Sequence, residues 1–101
     1  MKENRIKAIY MAPGKAPLLI EVENTLEALQ KAVGGYIESI TVDDNVCILC
    51  DEEGRIKGLP VTVSYGRYDF VGPVLWVGTS GEEFCSISDG YIDLIPVGEK
   101  A

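Results

Sequence analysis

The sequence predicts an α+β domain in which one principal helix and a short C-terminal helix pack on one face of a mostly antiparallel sheet. The 101-residue chain has the length of a single domain, which we place over residues 1–101 with its core at about 5–95. Short apolar runs alternate with turn residues along most of the chain, whereas one segment has the 3.6-residue period of a helix.

The first third of the chain predicts a hairpin followed by the principal helix. Strands at 5–11 and 18–22 flank a turn that contains proline and glycine. The helix is expected at about 25–33, with Asn24 as the N-cap and Glu27 completing a capping box. A glycine pair then ends the helix, because glycine readily adopts the left-handed conformation of a helix stop.

The middle of the chain predicts a second hairpin and an irregular connection. Strands at 36–42 and 45–50 are expected on either side of a turn made by two aspartates. The second of these strands is apolar throughout, which is typical of a strand buried on both faces. After an acidic turn, residues 61–64 form either a brief strand or part of a loop.

The last third of the chain predicts two strands and a terminal helix. A strand at 70–77 contains Pro73, which favours an edge position or a bulge because proline has no amide hydrogen. A further strand is expected at 84–87. Ser88 is placed to cap a short final helix.

Composition excludes several classes of function. Sixteen acidic residues stand against nine basic ones, giving a net charge of −7, which disfavours generic binding to nucleic acid or to anionic membranes. Histidine is absent, so Ser–His and Cys–His nucleophile pairs and histidine-ligated metals are excluded. No signal-peptide core or membrane-spanning run is found, and we expect a cytoplasmic protein without metal or cofactor.

The three cysteines are expected to be structural. Cys47 and Cys50 match a C-x-x-C pattern, but they lie in the apolar strand and not at the start of a helix. Positions three apart in a strand point to opposite faces, so the two sulfurs should diverge. With Cys85 alone remaining, a four-cysteine zinc site is also excluded.

Six acidic residues lie between positions 38 and 53 with no lysine or arginine among them. We call this set the acidic edge: Glu38, Asp43, Asp44, Asp51, Glu52 and Glu53. The two acidic turns should lie at opposite ends of strand 45–50, separated by roughly 20 Å at about 3.3 Å per residue. Such an edge could occupy a basic protein groove where phosphates would otherwise bind. The alternative is that these acids are simply solvated turn residues.

A loop with two tyrosines and an arginine suggests a different function. Tyr65, Arg67 and Tyr68 combine aromatic rings with a cation, which suits a nucleotide or another small molecule, and Arg55 and Lys57 could join them. The alternative is an ordinary exposed hairpin whose tyrosines cover the core.

Trp76 lies in an apolar run that could pair with a second copy of the chain if the strand were an exposed edge. Burial of the indole in the core is the other interpretation.

Four segments carry a resemblance to a known family: Thr25–Glu38, Asp51–Pro60, Gly72–Gly78 and Glu83–Asp89. Together they resemble domain of unknown function family 3846, over roughly residues 5–95. The resemblance implies a bacterial, phage or mobile-element protein, and it implies no established activity and no catalytic residues.

These observations favour a non-enzymatic accessory domain that binds a protein partner with a basic surface through the acidic edge. By analogy with small phage and plasmid accessory genes, such a protein would inhibit host defence. The alternative function is small-molecule or nucleotide binding through the tyrosine and arginine loop.

Overall fold

The computed structural model describes residues 4–95 and 99–100, and within them contains a seven-stranded sheet, a separate two-stranded hairpin and two helices. In chain order the elements are β1 (Arg5–Met11), β2 (Leu18–Glu23), α1 (Leu26–Val33), β3 (Ile37–Asp43), β4 (Val46–Asp51), β5 (Val61–Tyr65), β6 (Tyr68–Val71), β7 (Val74–Ser80), β8 (Glu83–Cys85), α2 (Asp89–Leu94) and β9 (Glu99–Lys100). The α+β class and the mostly antiparallel sheet are confirmed.

The main sheet is built around β7, which is paired along both sides. β4 pairs with one side of β7, while β1 and then β8 pair with the other. β3 lies beyond β4 and is the outermost strand at that end of the sheet. At the other end β2 forms the predicted hairpin with β1, and β9 runs parallel to β2.

Both faces of the central strands are buried, so each face needs its own cover. Helix α1 covers one face, where Leu29 and Val33 pack against alternate residues of β1, β4 and β7. The β5–β6 hairpin and α2 cover the other face, around Phe70 and Trp76. The two helices therefore lie on opposite faces, and the expectation that they share one face was wrong. A strand such as β4, apolar at successive positions, requires apolar cover on both sides.

The principal helix begins one residue later than expected. Thr25 is the N-cap, and its Oγ1 accepts a hydrogen bond from the Ala28 amide at 3.2 Å. The predicted cap Asn24 is instead buried, and its Nδ2 donates to the Phe84 carbonyl at 2.9 Å. This hydrogen bond connects the start of α1 to β8. Capping rules consider only residues close to the helix end, so they do not predict a contact with so distant a residue. Gly34 ends the helix in the left-handed conformation, with φ 86°.

The predicted strand 70–77 is two strands, β6 and β7, separated by Gly72 and Pro73. Gly72 has φ 71°, which breaks the extended conformation and sends the two strands to different sheets. β6 pairs with β5, and β7 becomes the central strand. The edge position expected from Pro73 was therefore wrong, because the proline lies in the connection and leaves every amide of β7 free to pair. The helix capped by Ser88 is confirmed.

Candidate functional site

The β3–β4 hairpin carries most of the acidic edge. Asp43 ends β3 at the turn, and Asp44 stands in the turn itself together with Asn45, whose φ is 60°. Glu52 and Glu53 follow β4 at the opposite end. The expectation that the two acidic turns lie at opposite ends of this strand is confirmed.

Asp51 differs from the rest of the acidic edge because it is buried. Its side chain is only 1% exposed and forms an ion pair with Lys57, with the Nζ–Oδ2 distance at 2.6 Å. The amide of Glu53 donates to its other oxygen at 2.9 Å. Burial by itself raises the pKa of Asp51, but the hydrogen bonds from Lys57 and Glu53 and the charge of Lys57 outweigh it and hold the pKa below its usual value. Asp51 is therefore an internal support and not a contact residue.

A compact loop is built over this carboxylate. Lys57 also donates to the Gly34 carbonyl at 3.3 Å, which connects the loop to the end of α1. A Cβ at Gly35 would lie 2.7 Å from Asp51 Oδ1, so only glycine lets the chain pass this close. The loop presents Ile56 outward with 85% of its surface exposed, next in sequence to Lys57. The exposure of Ile56 is not predictable from the sequence, because one apolar residue in a polar loop gives no periodic signal.

Glu38 connects the acidic edge to the tyrosine and arginine loop. Tyr68 donates from its hydroxyl to Glu38 Oε1 at 3.3 Å. The Arg55 guanidinium lies 5.6 Å from the centre of the Tyr68 ring and donates to the Asp69 carbonyl at 2.6 Å. Burial, followed by the nearby charge of Glu38, raises the pKa of Tyr68, so its hydroxyl stays protonated and can donate. Of the two cations expected to join this loop, Arg55 does so and Lys57 binds Asp51.

Asp43 is tied to the second helix. Tyr91 donates a hydrogen bond from its hydroxyl to Asp43 Oδ2. This bond and the one from the Asp44 amide lower the pKa of Asp43. The same contact with Asp43 raises the pKa of Tyr91 to about 12. The sequence does not predict this role of Tyr91, because the contact joins positions 48 residues apart.

The tyrosines of the alternative ligand site are used in packing. Tyr65 meets the Trp76 ring edge-on, with the ring centres 5.9 Å apart. Tyr68 packs on Phe70, with the ring centres 4.5 Å apart. Arg67 lies between them in the exposed hairpin turn. The two rings therefore pack on the domain and do not form an open platform for stacking a base.

Trp76 is buried, with 4% of its surface exposed. It lies in the centre of the sheet, where β7 pairs with β1 and β4 at this same residue. The hypothesis that the Trp76 strand offers an edge to a second copy was wrong for this reason, since neither edge of β7 is free at that point.

The two cysteines of β4 diverge as expected. Cys47 belongs to the cluster under α1, and Cys50 belongs to the cluster on the opposite face. Burial raises the pKa of both thiols to about 11, so at neutral pH they remain protonated and weakly nucleophilic.

The exposed acids of the acidic edge form two separate groups. The two pairs of exposed acids stand at opposite ends of β4, so they do not converge on one reacting atom. Among residues 4–95, no group of three or more possible ligands is arranged to hold a metal ion. In the same part of the chain, no helix is long and apolar enough to cross a bilayer.

Comparison with known proteins identifies the family. Neither the curated proteins nor the solved structures include a match to this chain. A family model described as a domain of unknown function, DUF3846, matches residues 6–96. The match covers both helices and every strand except β9, apart from the first residue of β1, and the chain belongs to the DUF3846 family.

Proposed function

We propose that this protein is a non-enzymatic accessory domain of the cytoplasm that binds a protein partner with a basic surface. One observation carries the proposal: the exposed carboxylates at the two ends of the β3–β4 hairpin form no ion pair with any residue in the described part of the chain. The cations nearest in sequence are already engaged, since Lys57 pairs with Asp51 and Arg55 bonds to Asp69.

The scaffold supports this use of the acids. Asp44, Glu52 and Glu53 project from turns at the ends of a strand that is buried along its whole length, so their positions are held by the core. A rigid surface loses little conformational entropy on binding, which favours affinity. Acids that face a basic partner also raise the rate of association with it, and this increase becomes smaller as the salt concentration rises.

The experiment uses a triple variant of acids whose carboxylates form no hydrogen bond or ion pair within the described residues: Asp44→Asn, Glu52→Gln and Glu53→Gln. A matched control neutralises three exposed acids away from the β3–β4 hairpin: Glu82→Gln, Glu83→Gln and Asp93→Asn. Each tagged protein is purified from the cells that naturally produce it, and the associated proteins are quantified by mass spectrometry.

We expect a basic protein to co-purify with the wild type and with the control, and to be lost from the acidic-edge variant. The bound amount should also fall with increasing salt, because exposed charges are screened. Equal recovery by the wild type and the acidic-edge variant, or the absence of any co-purifying protein, would contradict the proposal. No contact of Tyr65, Arg67 or Tyr68 in the described part of the chain favours the small-molecule alternative, because the two tyrosine rings pack on Trp76 and Phe70.

A further inference from the structure

β3 is an open edge of the main sheet. It is the outermost strand beyond β4, and no other strand in the described part of the chain pairs with it. An edge strand presents unpaired backbone N–H and C=O groups and can accept another strand. The pairing with β4 determines which residues of β3 carry these groups.

The hydrogen bonds at the start of β3 identify its outward-facing backbone groups. The Glu52 amide donates to the Tyr36 carbonyl at 2.9 Å. These two residues are therefore a hydrogen-bonded pair, and they immediately precede the first pair of the ladder, Ile37 and Asp51. Facing residues of an antiparallel ladder alternate between pairs that are hydrogen-bonded and pairs that are not. Ile37, Ser39 and Thr41 occupy the alternate positions, so their backbone N–H and C=O groups point away from β4.

The ladder on the other side of β4 leads to the same assignment. The Thr79 amide donates to the Asn45 carbonyl at 2.8 Å, so Asn45 and the odd-numbered residues of β4 point toward β7. Even-numbered residues such as Cys50 must then point toward β3, where Cys50 faces Glu38. Ser39 and Thr41 are also exposed, so the outward backbone groups are accessible.

We propose that the partner contributes an extended segment bearing lysine or arginine at alternate positions, and that this segment adds to β3 as a new outer strand. The inference rests on the proposed function and names the kind of segment that the acidic edge receives. Glu38 lies on β3 itself, with two exposed acids near each end of the strand. With seven residues at about 3.3 Å each, β3 can pair with a segment of similar length.

Charge distinguishes β3 from the edge at the other end of the sheet. There, Glu21 of β2 faces Lys7 and forms an ion pair with Arg5, with the nitrogen and oxygen 3.5 Å apart. Part of that edge also pairs with β9. A second copy of this chain is disfavoured at β3, because it would bring a second set of acids to the same edge.

The probe is a capped seven-residue peptide of alternating lysine and valine, added to isotope-labelled protein and followed by NMR. We expect chemical-shift changes along β3, together with slower amide hydrogen exchange at Ser39 and Thr41. A matched peptide with glutamate in place of lysine should not bind. Failure of the lysine peptide to bind at millimolar concentration in low salt would overturn the inference, as would shift changes away from β3.

Two N-methylated peptides test the backbone pairing without altering the protein. One carries the methyl groups on all its lysine amides and the other on all its valine amides. Only one side of an added strand bonds to β3, so one analogue should lose at least tenfold in affinity while the other keeps its affinity. Equal binding of both analogues would show that the peptide is held by charge alone.

Ser39→Pro tests the protein side of the same pairing. This substitution removes an outward amide and no hydrogen bond to β4, and proline is tolerated at such edge positions. We expect this substitution to lower the affinity for the lysine peptide at least tenfold. Thermal unfolding checks that the variant is folded. If the variant does not fold, the N-methylated peptides still decide the question.

The two proposals fail in different ways. If the cellular partner is lost from the acidic-edge variant but is retained by Ser39→Pro, strand addition is wrong and the proposed function stands. If the acidic-edge variant retains the partner, the proposed function is itself wrong.

Discussion

Asp51 is the last residue of β4, and its side chain is buried like those of the rest of the strand. It is followed in the sequence by Glu52 and Glu53, both exposed. A run of three acids does not show which of them is internal, so all three were predicted as contact residues. What distinguishes Asp51 is its position at the end of an apolar strand, with Lys57 able to return to it from the following loop.

Asp51→Asn should destabilise the protein by about 1–2 kcal/mol at pH 7, at or below the lower end of the range of about 1.5–3 kcal/mol for hydrogen bonds to charged groups. The figure is modest because the Lys57 side chain is 41% exposed, and solvent screens the pair. Urea unfolding followed by Trp76 fluorescence measures the change. Glu52→Gln, which alters an exposed acid of the same turn, should change stability by less than about 0.5 kcal/mol.

The same pair predicts a dependence on pH. The folded state lowers the pKa of Asp51, so the stabilisation is present above the ordinary carboxyl pKa of 3.8 and is lost as the pH falls through the folded-state value. The stability difference between the wild type and Asp51→Asn should therefore shrink in acid. A difference that stays constant from neutral pH to acid would show that the charge of Asp51 does not stabilise the fold.

At the scale of elements, the glycine pair after α1 has two separate roles. Gly34 ends the helix with a positive φ, whereas Gly35 is required by its distance from Asp51. Gly35→Ala should cost about 1–3 kcal/mol, as overpacking does in a rigid site. The matched control is Gly90→Ala in α2, where the new Cβ would be 3.9 Å from its nearest neighbour. The control should be neutral or slightly stabilising, and equal losses in the two variants would contradict this account of Gly35.

Elements with a local signal were predictable, and those set by distant contacts were not. The apolar alternation of β1 and β2 and the helical period of α1 correctly predicted their positions. The break at Gly72 was missed because residues 70–77 are almost continuously apolar, and only the separation of β6 from β7 shows where the chain turns. Asn24 has the chemistry of a cap, but its bond to Phe84 across the fold determines its role.

At the scale of the whole molecule, the exposed acids Asp44, Glu52 and Glu53 should lower the stability of the fold. The chain carries a net charge of −7, and exposed like charges on one hairpin repel each other in the folded state. If these acids serve binding, the fold should be more stable without them, because selection keeps functional residues that are unfavourable for stability. If they serve the fold, their removal should weaken it.

Thermal unfolding of the triple variant Asp44→Asn, Glu52→Gln and Glu53→Gln distinguishes these two roles. Within the described residues none of the three carboxylates forms a hydrogen bond or an ion pair, although the charge of Glu53 favours the charged form of Lys57. Neutralising the three acids therefore removes mainly repulsion and breaks no bond. We expect stability to rise by about 0.5–1 kcal/mol in low salt, which corresponds to a Tm increase of roughly 2–8 °C for a domain of this size. The increase should shrink as salt screens the charges, since the Debye length falls to about 8 Å at physiological ionic strength. A lower Tm for the variant at every salt concentration would assign these acids to the fold and remove the reason to regard them as a binding surface.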